Sequence, residues 1–255
     1  MSRSSKLILI LQLFETNRPV WTVEEMTRAL GLTPSTAYRH VRSLVRSGFL
    51  DPVTGAGYAL GPAFIRYDKI LRQNDPLIKH AAPVMTALLK RTSENFTVVL
   101  CRRFKDCVMC VHEVRGSKFS GVTSYERGVA MPLFLGATSK AILAQMPTRL
   151  LKAVYLTNAQ TIHRVLRVRD WNEFKAQIKD IRDAGFALTK SEIARGRVGL
   201  AAPIARNGMP CASISLIGIG KDWDEEKVHG YVRRVRDAAE KISKALSRKA
   251  AVISR

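Results

Sequence analysis

The sequence predicts an α+β protein: a winged helix-turn-helix over residues 1–61, a linker helix over 62–75, and a larger domain over 76–255 with a central antiparallel sheet. Three observations predict it. Two short amphipathic helices meet at Gly31, and the second carries cations on its outer side. A Pro/Gly-rich turn between two short apolar runs follows them. The remainder switches between helical stripes and two-residue alternation, with no self-similar period.

The elements follow in order. In "SKLILILQLF", Leu7, Ile10, Leu11 and Phe14 fall on the buried side of a first helix. In "WTVEEMTRALGL", Thr22 and Glu25 have the spacing of a capping box. Val23, Met26, Ala29 and Leu30 form that helix's stripe, which Gly31 breaks. In "GLTPSTAYRHVRSLVRSGFL", Thr33 can cap, Pro34 suits the first helical position, and Gly48 suits a left-handed stop. Ala37, Val41 and Leu44 recur at helical spacing and must pack inward. The opposite face shows Ser35, Thr36, Tyr38, Arg39, Arg42 and Arg46, with Thr33 at its head and His40 near the boundary. Short hydroxyls at a helix N-terminus suit phosphate, and arginines along the same face reach phosphate oxygens or guanine edges. These eight residues are the candidate contacts to double-stranded DNA. In "GFLDPVTGAGYALGP", Phe49 and Leu50, a turn, then Tyr58, Ala59 and Leu60 make a small hairpin, the wing. A helical hairpin used only for packing would show the same stripes; the first helix and the wing complete the DNA-binding set.

"GPAFIRYDKILRQND" reads as a charged linker helix with Phe64, Ile65, Ile70 and Leu71 on one side, a candidate for dimer contacts. Asp75-Pro76 punctuates it. Residues 77–93 form another helix. "NFTVVLCRRF" and "CVMCVHEV" are strands joined at Lys105-Asp106. "MPLFLGATSKAILAQMP" runs through Gly136-Ala137 into a helix over 138–145, a place whose free amides suit a carboxylate. Helices follow at 148–156 and 170–184. "FALTKSEIARGRVGLAAPI" reads as strand, loop and strand. "PCASISLIGIG" sets Ala212, Ile214 and Leu216 against Ser213, Ser215 and Ile217, and "WDEEKVHGYVRRVRDAAEKISKAL" is a last amphipathic helix.

Composition limits the function classes. At 255 residues and 46% hydrophobic content the chain can bury a sizeable core. No run reaches the length of a membrane span, and the early "LILILQLF" lacks a cleavage site, so a cytoplasmic protein without membrane association is expected. The net charge is +21, which favours a polyanionic partner, yet residues 1–75 hold only +4 and residues 76–255 hold +17. Solubility, attraction to DNA, and an anionic ligand in the second part all fit that distribution. Cys107 and Cys110 have a metal-site spacing, but on a strand they point to opposite faces and no second pair completes a zinc set. No metal or cofactor is expected. There is no G-x-S-x-G elbow and no phosphate-binding loop, and the adjacent Ser139-Lys140 diverge on a helix start.

"GLTPSTAYRHVRSLVRSGFL", "GYALGP", "PLFLGATSKAILA", "IRDAGFAL" and "GRVGLAAPI" followed by "CASISLIG" together resemble the isocitrate lyase regulator (IclR) family of bacterial transcription factors. The resemblance implies a C-terminal effector-binding domain of GAF/PAS-like architecture, dimers or tetramers on palindromic operators, and a small organic acid as effector. It places effector contacts at Gly136 and Ala137, near Thr189, at Gly199, and at Ser215 and Ile217, with Leu133 and Leu135 as further lining. Relative to the family pattern, Thr189 stands for an Asp, Gly199 for a larger residue and Ile217 for a Ser. A roomier and more apolar pocket is the expectation, suited to an aromatic or longer-chain acid. His40 departs from an aliphatic residue common at its position, which points to altered base reading. The competing readings are a nonspecific architectural DNA binder, which would show no sequence preference, and an enzyme with a DNA-binding appendage.

Overall fold

A computed structural model gives the structure of the chain and describes residues 3–121 and 123–250. The chain divides into two compact units that meet at Asn74 and Asp75. The elements are α1 (Arg3–Leu11), β1 (Trp21–Thr22), α2 (Val23–Leu30), α3 (Pro34–Arg46), β2 (Leu50–Val53), β3 (Gly57–Leu60), α4 (Ala63–Asn74), α5 (Pro76–Lys90), β4 (Thr97–Phe104), β5 (Cys107–Arg115), β6 (Ala130–Pro132), α6 (Gly136–Leu143), α7 (Thr148–Leu166), α8 (Trp171–Ala184), β7 (Ala187–Lys190), β8 (Arg197–Arg206), β9 (Met209–Ile219) and α9 (Val228–Ala250).

In the first unit, local chemistry sets each boundary. The Thr22 hydroxyl accepts from the Glu25 amide at 3.2 Å, and the Glu25 carboxylate accepts from the Thr22 amide at 2.9 Å. Gly31 closes α2 at φ 61, a left-handed conformation that favours glycine. The core joins Ile10 of α1, Trp21, Val23 and Met26, Ala37, Val41 and Leu44 of α3, and Leu50 of the wing. Ala29, expected on the α2 stripe, is exposed. The wing has a third strand that the sequence did not suggest: β1 pairs β3, giving the order β1-β3-β2. Residues 21–22 are too few to show a two-residue alternation.

The second unit is a six-stranded sheet, ordered β6-β5-β4-β9-β8-β7, with every pairing antiparallel. β4 and β5 join through the two-residue turn Lys105-Asp106, with Phe104 opposite Cys107 and Lys105 at φ 53. Alternation along β9 divides its side chains between two layers. Ala212, Ile214 and Leu216 pack with Val98, Leu100, α5 and α9 on one face. Ile217 packs on the other with α7 and α8, where Ser213 and Ser215 meet α6. Each fully buried Leu or Phe in these layers contributes roughly 1.5–3 kcal/mol. Helix α7 runs ten residues past the expected end at 156, because the chain resumes its helix after Asn158 (φ −125, ψ 16). Cys110 lies opposite Cys101 within the core, whereas the Cys107 thiol, at the hairpin end, donates to the Phe104 carbonyl.

Candidate functional site

The outward face of α3 is built from both directions. Inward, Ala37, Val41 and Leu44 are at most 5% exposed and fix the helix against α1 and α2. Outward, Ser35, Tyr38, Arg39, Arg42 and Arg46 are exposed, Thr33 is exposed at the cap and Thr36 is half-buried. Thr33 has cap backbone angles, but its hydroxyl donates to Thr36 Oγ1 at 2.8 Å instead of accepting from the helix. The first amides of α3 therefore have no side-chain cap, and an external acceptor such as a phosphate oxygen can take them. None of the three arginines on this face takes part in an ion pair among the described residues.

Two expected contacts change meaning. His40 is buried at 6% exposure, on the inward side beside Val41 and Leu44, so it does not share the outward face. Its place between the two stripes made the boundary hard to draw from spacing alone. The Tyr38 ring is exposed, but its hydroxyl donates to Glu24 Oε1 of α2 at 2.9 Å. That bond ties the two helices of the motif. Glu24's own backbone amide and Tyr38 together hold its carboxyl below the ordinary carboxylate range, and Glu24 in turn raises the Tyr38 phenol. Tyr58 and Pro52 of the wing close an open cleft of about 570 Å³ beside Tyr38, Arg39 and Arg42. The wing carries Asp51 and no Lys or Arg.

The second site lies where α6 begins. Leu135 precedes the helix without a side-chain cap, and Gly136 enters it at φ 79. The Ala137 amide donates to Thr189 Oγ1 at 3.2 Å. Ser215 donates to Thr138 Oγ1, and Ser213 to the Thr138 carbonyl, both at 2.9 Å. Tyr125 donates to the Leu135 carbonyl at 2.9 Å and lies 3.2 Å from Ser139 Oγ. Burial pushes its phenol far up, so it stays protonated. A small cavity here, about 40 Å³, is lined by Ala137, Thr189, Gly199 and Ile217 among the expected residues. Gly136, expected there, is not among the lining residues; Ile193 and Tyr125, which are, pack against it.

Three expectations are corrected. Leu133 and Leu135 do not line the cavity; they pack into the apolar layer under α7 and α8. Ser215 is fully buried behind the lining, engaged by Thr138. The pocket is also not roomy. Sites for organic ligands generally exceed about 300 Å³, and this cavity holds little more than water. A Cβ on Gly199 would meet Ala137 Cβ at 3.5 Å and Thr189 Oγ1 at 3.6 Å, so the missing side chain opens no space. Ile193, from the segment between β7 and β8, lies over Gly136.

The sequence reading missed the charged groups of this site. Lys140, 8% exposed on the second turn of α6, pairs with Glu192 at 2.6 Å. Arg197 places Nη1 beside the cavity, and neither that atom nor the buried Thr123 Oγ1 has a hydrogen-bond partner among the described residues. Lys140 and Glu192 are 52 residues apart, and no local spacing signals their meeting. Ser139 and Lys140 do diverge, to Tyr125 and Glu192 respectively.

Known proteins share this architecture. The family model for the bacterial transcriptional regulator IclR C-terminal domain matches residues 70–244, and that for the IclR helix-turn-helix domain matches residues 5–53. The HTH-type transcriptional regulator KipR of Bacillus subtilis is 26% identical over 244 residues, spanning 94% of this chain and 95% of that protein. An IclR family transcriptional regulator from Brucella abortus has a similar fold, with a TM-score of 0.77 at 20% identity over 96% of this chain and 92% of that one. So does an IclR homolog from Microbacterium hydrocarbonoxydans complexed with 4-hydroxybenzoate, with a TM-score of 0.71 at 19% identity over 96% and 99%. Among the described residues no helix is long and apolar enough to cross a membrane.

Proposed function

Because the chain belongs to the IclR family of bacterial transcriptional regulators, we propose that α3 reads a two-fold symmetric DNA operator and that a small organic acid, bound where α6 begins, changes its affinity for that operator. One observation carries the DNA half: Arg39, Arg42 and Arg46 stand exposed on the side of α3 opposite its buried Ala37, Val41 and Leu44. Ser35 and Thr36 hold register on phosphates; Arg39 and Arg42 reach base edges, with the Tyr38 ring beside them. The acid half is supported by the amides at the start of α6, the cations beside them, and the 4-hydroxybenzoate carried by the Microbacterium relative. The effector acts only through unequal affinity for two states of the protein, and a coupling of about 1–3 kcal/mol shifts DNA affinity roughly 5–150-fold.

Self-association completes the reading. Helix α4 has no buried residue, and Ile65 (76%), Leu71 (58%) and Ile70 (43%) lie open on different sides of it. A second copy of the chain covers part of this exposed apolar surface and supplies the second reading helix, at half-site spacings of about 34 Å. Ile65→Glu is then expected to lower the sedimentation mass at micromolar concentration; an unchanged mass rejects α4 as the contact.

The test selects binding sites from random DNA with the full chain, then titrates organic acids against the selected site. Enrichment of one symmetric sequence and a shift in affinity with at least one acid are expected. Binding without sequence preference favours a nonspecific DNA binder, the reading that the +17 on residues 76–255 would suit.

A further inference from the structure

The cavity at α6 is lined by one carboxylate of the chain itself, Glu192, and by one cation, Arg197, and that carboxylate pairs with Lys140 of α6 beside the lining. Lys140 and Glu192 are each close to nine-tenths buried, at 2.6 Å, yet Glu192 Oε1 receives no properly directed hydrogen bond. Among the described residues, Arg197 Nη1 and Thr123 Oγ1 also lack partners there. Glu192 sits on the short segment 191–196, which leaves β7 at Ser191 (φ 56) and enters β8 from Gly196 (φ 76). The same segment places Ile193 over Gly136, filling the space an organic ligand would need. We propose that Glu192 is an internal surrogate for the effector: its carboxylate occupies Lys140 in the unliganded protein, and a small monocarboxylate binds by displacing it. Resting on the effector reading above, this names the ligand class, a monoanion whose second polar group meets Arg197 and Thr123, and names the move that admits it. Segment 191–196 lifts, Glu192 goes to water, and Ile193 vacates the cavity. Lys140 changes carboxylates, so its charge is never left buried alone.

An internal competitor lowers apparent affinity by the fraction of molecules in which it holds the site. Glu192→Gln keeps the shape and removes the competing charge. The probes are benzoate, 4-hydroxybenzoate and pyruvate, each with its neutral primary amide, titrated calorimetrically into the intact chain. Glu192→Gln is expected to bind at least one acid about tenfold more tightly than the unmodified chain and to bind no amide more tightly. Gly199→Leu, which fills the cavity, is expected to abolish acid binding in both backgrounds. Should Glu192→Gln fail to fold, Glu192→Asp keeps the charge on a shorter arm, and a smaller gain in the same direction is expected. An acid that binds the unmodified chain and Glu192→Gln equally, and is blocked by Gly199→Leu, overturns the surrogate while leaving the effector reading intact. Binding that ignores Gly199→Leu overturns the cavity as the effector site. No acid binding to Glu192→Gln overturns the surrogate as well, since an uncovered buried ammonium takes a carboxylate.

Discussion

The start of α3 and the start of α6 both lack a side-chain cap, yet the chain treats them in opposite ways. On α3 the hydroxyls of Thr33 and Thr36 bond each other, the arginines have no acidic partner among the described residues, and the face is exposed. On α6 the Thr189 hydroxyl takes an amide, Glu192 takes the ammonium, and Ile193 and Tyr125 cover the glycine. The first arrangement suits a large polyanion that brings its own charge and needs no opening. The second suits a small ligand that must compete with groups already in place. Exposure thus separates the two helix starts, one open to solvent and one covered by groups of the chain itself.

Substitutions can break or sharpen this contrast. The largest effect is expected from Gly136→Ala. Its φ of 79 is costly for an L residue, and the new methyl would run into Ile193 and Tyr125, so a loss of about 2–4 kcal/mol in the unfolding free energy of the C-terminal unit is expected from denaturant titration. Gly31→Ala meets nothing within 4 Å at φ 61, and only about 1 kcal/mol is expected in the first unit. Equal losses would mean that α6 is not tightly covered. Next comes Arg39→Ala, expected to weaken binding to a selected DNA site by roughly 1–3 kcal/mol while the melting temperature and acid binding hold steady. Unchanged DNA affinity removes Arg39 from the reading face. The smallest effect is expected from Glu24→Gln. Glu24's folded carboxyl is depressed, so its stabilising contribution is present above the ordinary carboxylate pKa and fades as pH falls through the lower folded value. Melting curves of Glu24→Gln and the unmodified chain are therefore expected to differ slightly at neutral pH and to converge in acid; a constant gap would deny the linkage.

The two regions also differ in how far the sequence revealed them. The α2–α3 motif is written in neighbours: Thr22 with Glu25, Gly31, Thr33-Pro34, and a stripe every third or fourth residue. Each feature acts over one or two turns, so spacing suffices. Its misreadings sit at margins, His40 between two faces and Ala29 at a helix end. The strands of the second unit were legible where alternation was clean, as in β9, and at the Lys105-Asp106 turn. The α6 cavity gathers residues 123, 192 and 197 from distant parts of the chain, with Lys140 paired to Glu192 beside it, and no local spacing signals that meeting. Family likeness led to its neighbourhood through Ala137, Thr189 and Gly199, but left out the ion pair and gave the wrong volume. A missing side chain in a sequence does not make a hole when adjacent atoms close around it.

That 40 Å³ volume carries a practical lesson for anyone wishing to turn this regulator into a biosensor. On the displacement proposed above, docking compounds into this conformation discards every acid larger than a few solvent molecules, the proposed ligands among them. Chemical libraries are then better assayed on reporter strains or on freely tumbling protein, where a move of Ile193 would be allowed.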